Sequence, residues 1–377
     1  MSRSLVFVAA ALFFWGIGEG MFLNFVPIYL GSQFMLGEQQ IGFVLGVFGF
    51  FMAVTHIPGG YLADRIGRRP LLFTAWIMGF FSMLVMGVST RLPFYLAGVF
   101  IYGLTAFVSS PLSSYVTAAR GKWAVGTALA FISASFNSGM ALGPLAGGWI
   151  GEHYGLQVSY LSAAGVFFFS MMFIALIEKQ PIDRHDPGEP PIGLWSNRSY
   201  VSFILVVAFA VFAMYISQPL TPNFLKDVRG LSLSDTGLVF SMGALGNALL
   251  TLLVSRFAPR RGFMLAQLSV IFFALCIWLG SGLPIFMLGY FLLGGFRAAR
   301  PMAQAQARDL VHESQMGLAY GTLETGNAII FILAPPLAGF IFEKDPFAIY
   351  PLAVVLIVIS IFISRVFGPR KNAVVTS

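Results

Sequence analysis

The chain is a succession of long apolar runs separated by short polar or glycine-proline breaks. The runs fall near residues 4–30, 39–63, 70–89, 92–117, 124–150 and 155–178, then 198–225, 234–257, 262–281, 283–306, 315–342 and 346–367. Each can carry a helix across ~30 Å of hydrocarbon, and none shows the two-residue alternation of a barrel strand. The pattern predicts an all-α membrane protein with twelve transmembrane helices. The first run contains Glu19 and Asn24 and has no cleavage-type ending before the second, so it is expected to be a retained helix.

Composition narrows the class further. With 58% hydrophobic and 10% charged residues and a mean hydropathy of +0.84, the chain cannot build the polar surface of a soluble globule, and its solvent is the lipid bilayer. A net charge of +7 could suit nucleic acid, but the basic residues form no patch on a soluble segment, so no nucleic-acid partner is expected. They sort by loop instead. With a cytoplasmic amino terminus, Arg91, Lys226, Arg229 and Lys344 lie outside, Arg297 lies within the membrane, and the rest of the 22 Lys and Arg lie inside. This asymmetry predicts a multi-pass protein of the cell (inner) membrane with both termini cytoplasmic. Cys276 is the single cysteine and reads as an apolar filler of the ninth run, with no disulfide or cysteine metal site possible within one chain.

The longest polar break, 179–197, is rich in proline and charge and reads as a cytoplasmic linker between an amino-terminal six-helix bundle, 1–178, and a carboxy-terminal one, 198–377. The halves share a pattern. Ile41-Gly42-Phe43-Val44 matches Thr236-Gly237-Leu238-Val239, and Pro144-Leu145-Ala146-Gly147 matches Pro336-Leu337-Ala338-Gly339, in the second and fifth helices of each half. Pseudo-symmetric halves of this kind are the mark of a transporter that rocks about a central site.

Between the second and third runs stands Gly60-Tyr61-Leu62-Ala63-Asp64-Arg65-Ile66-Gly67-Arg68-Arg69-Pro70. It places one carboxylate, Asp64, and three guanidinium groups, Arg65, Arg68 and Arg69, at a water boundary, with Gly60 and Gly67 allowing close approach and a tight reversal. The corresponding loop of the second half has Pro259 where the first has Asp64. The segment resembles the helix 2–helix 3 loop signature of the major facilitator superfamily. The resemblance, which covers nearly the whole chain, implies that Asp64 and its neighbours form a conformational switch between outward-facing and inward-facing arrangements. In the fifth run, Gly139, Gly143, Pro144, Gly147 and Gly148 resemble the fifth-helix motif commonest among proton-coupled exporters, and equally suit close helix packing. In the fourth run Val99 stands where proton-coupled drug exporters usually carry arginine.

Charges inside a membrane are costly and mark candidate functional groups. Three qualify: Glu19 in the first run, Arg297 in the tenth and Glu324 in the eleventh. From their distances to the nearest run ends, Arg297 and Glu324 lie at depths that differ by only about 5 Å, so they are expected to pair if their helices face each other. Glu19, flanked by Gly18 and Gly20, has room to face a cavity. In the resembled fold the first, fourth, seventh and tenth helices line that cavity, which implies that Glu19 and Arg297 share it. Glu19 is expected to be the main protonation site, with no close cation, and Arg297–Glu324 to organise the cavity. Asn24, Gln218, Asn223, Gln304, Gln306 and Asn327 are candidate substrate contacts or helix-to-helix bonds. His56 reads as a packed helix-end residue. No nucleotide-binding loop, metal-spaced cluster or nucleophile elbow is present, so no cofactor, metal site or enzymatic activity is expected.

The reading is a monomeric secondary active transporter that exports a small amphipathic or lipophilic compound against inward proton flow. Alternatives are a symporter or uniporter for a sugar, organic acid, peptide or lipid, and a non-transporting membrane sensor on the same fold. The charge asymmetry generates a direct test of orientation. A reporter fused after Ser377, or inserted near Pro187, should be active only when the reporter type works in the cytoplasm; activity of a periplasm-only reporter at either site contradicts the topology.

Overall fold

A computed structural model describes residues 2–179, 197–311 and 316–367, and these are helical with no strand among them. The expected linker therefore lies almost entirely outside the described residues. Before it come α1 (Arg3–Phe22), α2 (Val26–Phe34), α3 (Glu38–Ile66), α4 (Arg68–Val88), α5 (Leu92–Leu104), α6 (Ser109–Ala119), α7 (Val125–Tyr154) and α8 (Leu156–Ala175). After it come α9 (Arg198–Tyr215), the single turn α10 (Thr221–Asn223), α11 (Leu233–Val254), α12 (Pro259–Leu279), α13 (Leu283–Leu293), α14 (Gly295–Arg308), α15 (Met316–Lys344) and α16 (Ile349–Phe367). Among the described residues nine helices are long and apolar enough to cross a membrane, or ten if the bent pair 92–108 and 111–119 is one span. The tenth predicted run, 283–306, is broken at Gly294 into α13 and the more polar α14, and Ile349–Arg365 is a shorter apolar helix, so the count of twelve is not reached on length and composition.

Local chemistry sets the helix ends. The side chains of Ser2, Asn197 and Ser232 accept hydrogen bonds from the backbone N–H of Leu5, Tyr200 and Asp235, capping α1, α9 and α11. Gly67 joins α3 to α4 at φ +87°, a left-handed conformation that a side chain would strain. Arg69 at the start of α4 donates to the carbonyl of Ala175 at the end of α8, and Arg260 at the start of α12 donates to that of Arg365 near the end of α16. Each guanidinium thus meets the negative end of a helix in its own half.

The glycines decide how the helices meet. Gly139, Gly143 and Gly147 of α7 lie four residues apart on one face, and a Cβ at any of them would collide with the carbonyl oxygens of Phe13, Ile17 and Met21 of α1 respectively. These two helices therefore touch backbone to backbone. The same device joins the two halves along two seams. In one, α3 faces α15: a Cβ at Gly42 would strike the carbonyl of Pro335, one at Gly49 would lie 2.6 Å from that of Phe331, and one at Gly339 would lie 2.5 Å from that of Glu38. In the other, α7 faces α11, with Gly148 against Leu233 and Gly237 against Pro144. The repeated Gly42/Gly237 and Pro144/Pro336 segments thus lie in corresponding seams.

Hydrogen bonds bridge the halves at the same end. Asn223 Nδ2 donates to both carboxylate oxygens of Glu38 at 3.1 Å, and Ser234 N–H donates to Glu152 Oε2 at 2.8 Å. Asn247 Nδ2 donates to Asn137 Oδ1 at 3.1 Å further along the second seam. The contacts on α3 run from residue 38 to residue 49, a rise of roughly 16 Å, about half of a bilayer core. The halves are sealed at the Glu38 end.

Gly237→Leu should open that seal, because its new side chain meets a carbonyl oxygen of α7 that cannot swing aside. With overpacking costing about 1–3 kcal/mol, the closed arrangement should lose population roughly 5- to 150-fold. The check is the rate at which an impermeant maleimide labels Ser234→Cys; an unchanged rate beside Gly237→Leu refutes the seam.

Candidate functional site

Between the seams, the first helix carries its acidic residue to the inner face of the amino-terminal half. Trp15 precedes Glu19 by one turn, and its Nε1 donates to Glu19 Oε2 at 3.0 Å. Tyr102, near the end of α5, donates its hydroxyl to the same oxygen at 2.6 Å. Both donors are anchored in aromatic packing. Trp15 lies 4.7 Å from Trp76 and 4.6 Å from Phe167 between ring centroids, and Tyr102 lies 4.7 Å from Phe22. Glu19 is half-buried, and its Oε1 takes no hydrogen bond among the described residues. One carboxylate oxygen is fixed and the other is left for a proton or a ligand.

The opposing wall comes from α9, α14 and α15. On α14 the residues Ala298, Ala299, Met302, Ala303, Gln306 and Ala307 are buried, while Arg297, Arg300 and Gln304 fall on the opposite face at helical spacing. Arg297 is exposed and forms no ion pair among the described residues. Its charge nevertheless reaches both the Glu19 carboxylate and the hydroxyl of Tyr215 on α9. Tyr215 stacks on Phe296 at 5.9 Å and meets Phe331 edge-on at 4.6 Å. The site thus has a carboxylate on one half, a guanidinium on the other, and aromatic rings beside each.

Two sequence expectations change here. Glu324 pairs with Arg300, not Arg297: Arg300 Nε lies 2.7 Å from Glu324 Oε1, and Gln304 Nε2 donates to the same atom at 3.1 Å. The break at Gly294 restarts the helix, and its face toward α15 is set by Arg300 and Gln304, one turn beyond Arg297. Glu19 also does not lack a cation, since Arg297 across the cleft supplies one without touching it.

Other candidates disperse. Asn223 belongs to the sealed end, where it is fully buried against Glu38 and Pro27. Gln218 donates to Met214 of its own helix, and buried Gln306 donates to Met302 and to Pro259 at the start of α12. Asn24 and Asn327 are half-buried and make no side-chain hydrogen bond among the described residues. In the loop signature Gly67, Arg68 and Arg69 are described, and Arg69 holds the end of α8. Gly60, Asp64, Arg65 and His56 lie in α3 but outside the residues whose side chains are described. The fifth-helix motif divides its tasks: Gly139, Gly143 and Gly147 pack on α1, whereas Gly148 and Pro144 meet α11. Pro144 also meets Gly20, the residue next to Glu19, so one residue touches both the site's helix and the seam.

Sequence reasoning missed Trp15, Tyr102, Tyr215 and Arg300. Trp15 was within reach of it, being four residues before Glu19 on one helix face. The other three depend on which helices become neighbours.

Comparisons with known proteins agree with this architecture. The model of the Major Facilitator Superfamily matches residues 8–266 and 244–376. Multidrug resistance protein 2 of Bacillus subtilis (strain 168) is 20% identical over 94% of this chain and 93% of its own length. Multidrug resistance protein MdtG of Serratia proteamaculans (strain 568) is 28% identical over 60% of this chain and 58% of its own. A crystal structure of a mutant of the nucleoside transporter NupG superposes with a TM-score of 0.84 at 13% identity, covering 97% of this chain and all of that one. With its helical halves, glycine seams and family match, the chain belongs to the Major Facilitator Superfamily and is a membrane transporter, not an enzyme.

Proposed function

We propose that this transporter exports a small amphipathic compound in exchange for protons, by alternating access about the cleft between Glu19 and Arg297. The observation that carries the reading is the half-buried Glu19, fixed through one oxygen by Trp15 and Tyr102 and open at the other. A carboxylate that can hold either a proton or a ligand group, but not both, is the minimal element of exchange. The names of the relatives in Bacillus subtilis and Serratia proteamaculans support drug efflux as the direction. In this reading the chain is a monomer of the cell membrane with twelve spans, six in each of the bundles 1–178 and 198–377, joined by the 179–197 linker. Both termini are cytoplasmic, the sealed Glu38 end faces outward, and the structure is an inward-facing state.

Coupling follows the contacts. Pro144 lies against Gly20 on one side and Gly237 on the other, so a shift of α1 when Glu19 changes its charge moves the α7–α11 seam. Asp64, with Gly60, Arg65, Gly67, Arg68 and Arg69, is proposed to set the balance between the access states at the other end. The competing reading, proton-driven uptake, draws on Val99 in place of the exporters' arginine, and predicts flux in the opposite direction.

In everted vesicles loaded to report proton movement, substrate addition should release protons, and Glu19→Gln should abolish that release while substrate still binds, now independently of pH. Full pH-driven transport by Glu19→Gln removes the assignment. Glu324→Gln tests the other carboxylate. Its pair with Arg300 is solvent-accessible, with side-chain exposures of 37% and 61%, so the bond contributes about 0–1 kcal/mol. The variant should unfold within a few degrees of the parent and keep proton release; a large loss of thermal stability would show that Glu324 neutralises a buried charge instead.

A further inference from the structure

Two opposite charges face one cleft from opposite halves without meeting. Glu19 keeps Oε1 unbonded, and Arg297 is exposed on α14 with no ion pair, although its field reaches the Glu19 carboxylate. Arg300, the next arginine along that face, is already neutralised by Glu324. The unsatisfied chemistry of the cleft is therefore one acceptor and one guanidinium, separated by more than an ion-pair distance and flanked by Trp15 and Tyr102 on one side and Tyr215 and Phe296 on the other.

We infer that the transported compound is a zwitterion with an aromatic or flat apolar body, its cationic group on Glu19 and its anionic group on Arg297. This rests on the central site proposed above and names its substrate class. A lipophilic cation would satisfy Glu19 and add a second positive charge beside Arg297, and an anion would do the reverse. Only a ligand carrying both charges pairs both groups in a site away from bulk water, where an unpaired charge is expensive. Its body fits between the rings, where a cationic group gains a further attraction from Trp15 and Tyr102. The arrangement also preserves exchange. The ionisable groups that face Glu19 among the described residues are Tyr102 of α5 and Arg297 of α14, so a ligand ammonium competes with a proton for the carboxylate itself. Because the ligand's two charges bind different halves, occupancy ties the halves together.

The test uses three probes that share one ring system: naphthylalanine, a zwitterion; naphthylpropionate, an anion; and naphthylethylamine, a cation. Binding to the purified full-length protein is followed by calorimetry at neutral pH. The zwitterion should bind roughly ten-fold tighter than either single ion, as expected when a charged partner is lost. Arg297→Gln should reduce it to the level of the cation, Glu19→Gln to the level of the anion, and Arg297→Lys should restore most of the preference, which separates a charge requirement from a folding defect. A single-ion probe that equals or exceeds the zwitterion, or a preference that survives both substitutions, overturns the inference while leaving the central site standing. If none of the three binds, the inference and the central site fail together.

Discussion

Backbone-to-backbone packing at glycine is the constraint on which this structure depends. Within lipid no hydrophobic force favours one helix neighbour over another, because hydrocarbon is as apolar as leucine, so close fit decides who packs with whom. The α1–α7 pair and the two seams between halves all use it. In each, the group that a Cβ would strike is a main-chain carbonyl, which cannot rotate away as a side chain can. Such contacts are all-or-none. They suit a seam that must be fully made in one access state and fully broken in the other, with few intermediate positions.

The charged residues obey the complementary rule. Each intramembrane charge is placed where it has donors, an ion partner or an open cleft. Glu324 has Arg300 and Gln304, Glu38 has Asn223, and Glu19 has Trp15 and Tyr102. Arg297 alone of the candidates is met by no ionic partner among the described residues, and it is the one whose exposure to the cleft makes this tolerable. The fixed geometry of Glu19 is a further device, since aromatic packing of Trp15 and Tyr102 positions the donors before any ligand arrives.

The helical class, the membrane solvent, the family and the repeat were all legible in the sequence. Apolar runs must become helices because lipid offers the backbone no partners of its own, and the loop signature and paired Pro-Leu-Ala-Gly segments mark the family and the two halves. Glu19, Arg297 and Glu324 stood out for the same reason, as charges that lipid does not tolerate without cause. Pairing was not legible. Depth along a helix follows from counting residues, but the direction in which a side chain points depends on where the helix begins, and the break at Gly294 restarted α14 so that Arg300 rather than Arg297 met Glu324. Likewise Tyr102, Tyr215 and the closed seams required knowledge of which helices touch. What the sequence determined by itself is the set of helices and the costly groups within them, because hydrophobicity is local; what only the tertiary structure decided is who meets whom, because contact depends on the rotation and neighbours of each helix, which no single segment encodes.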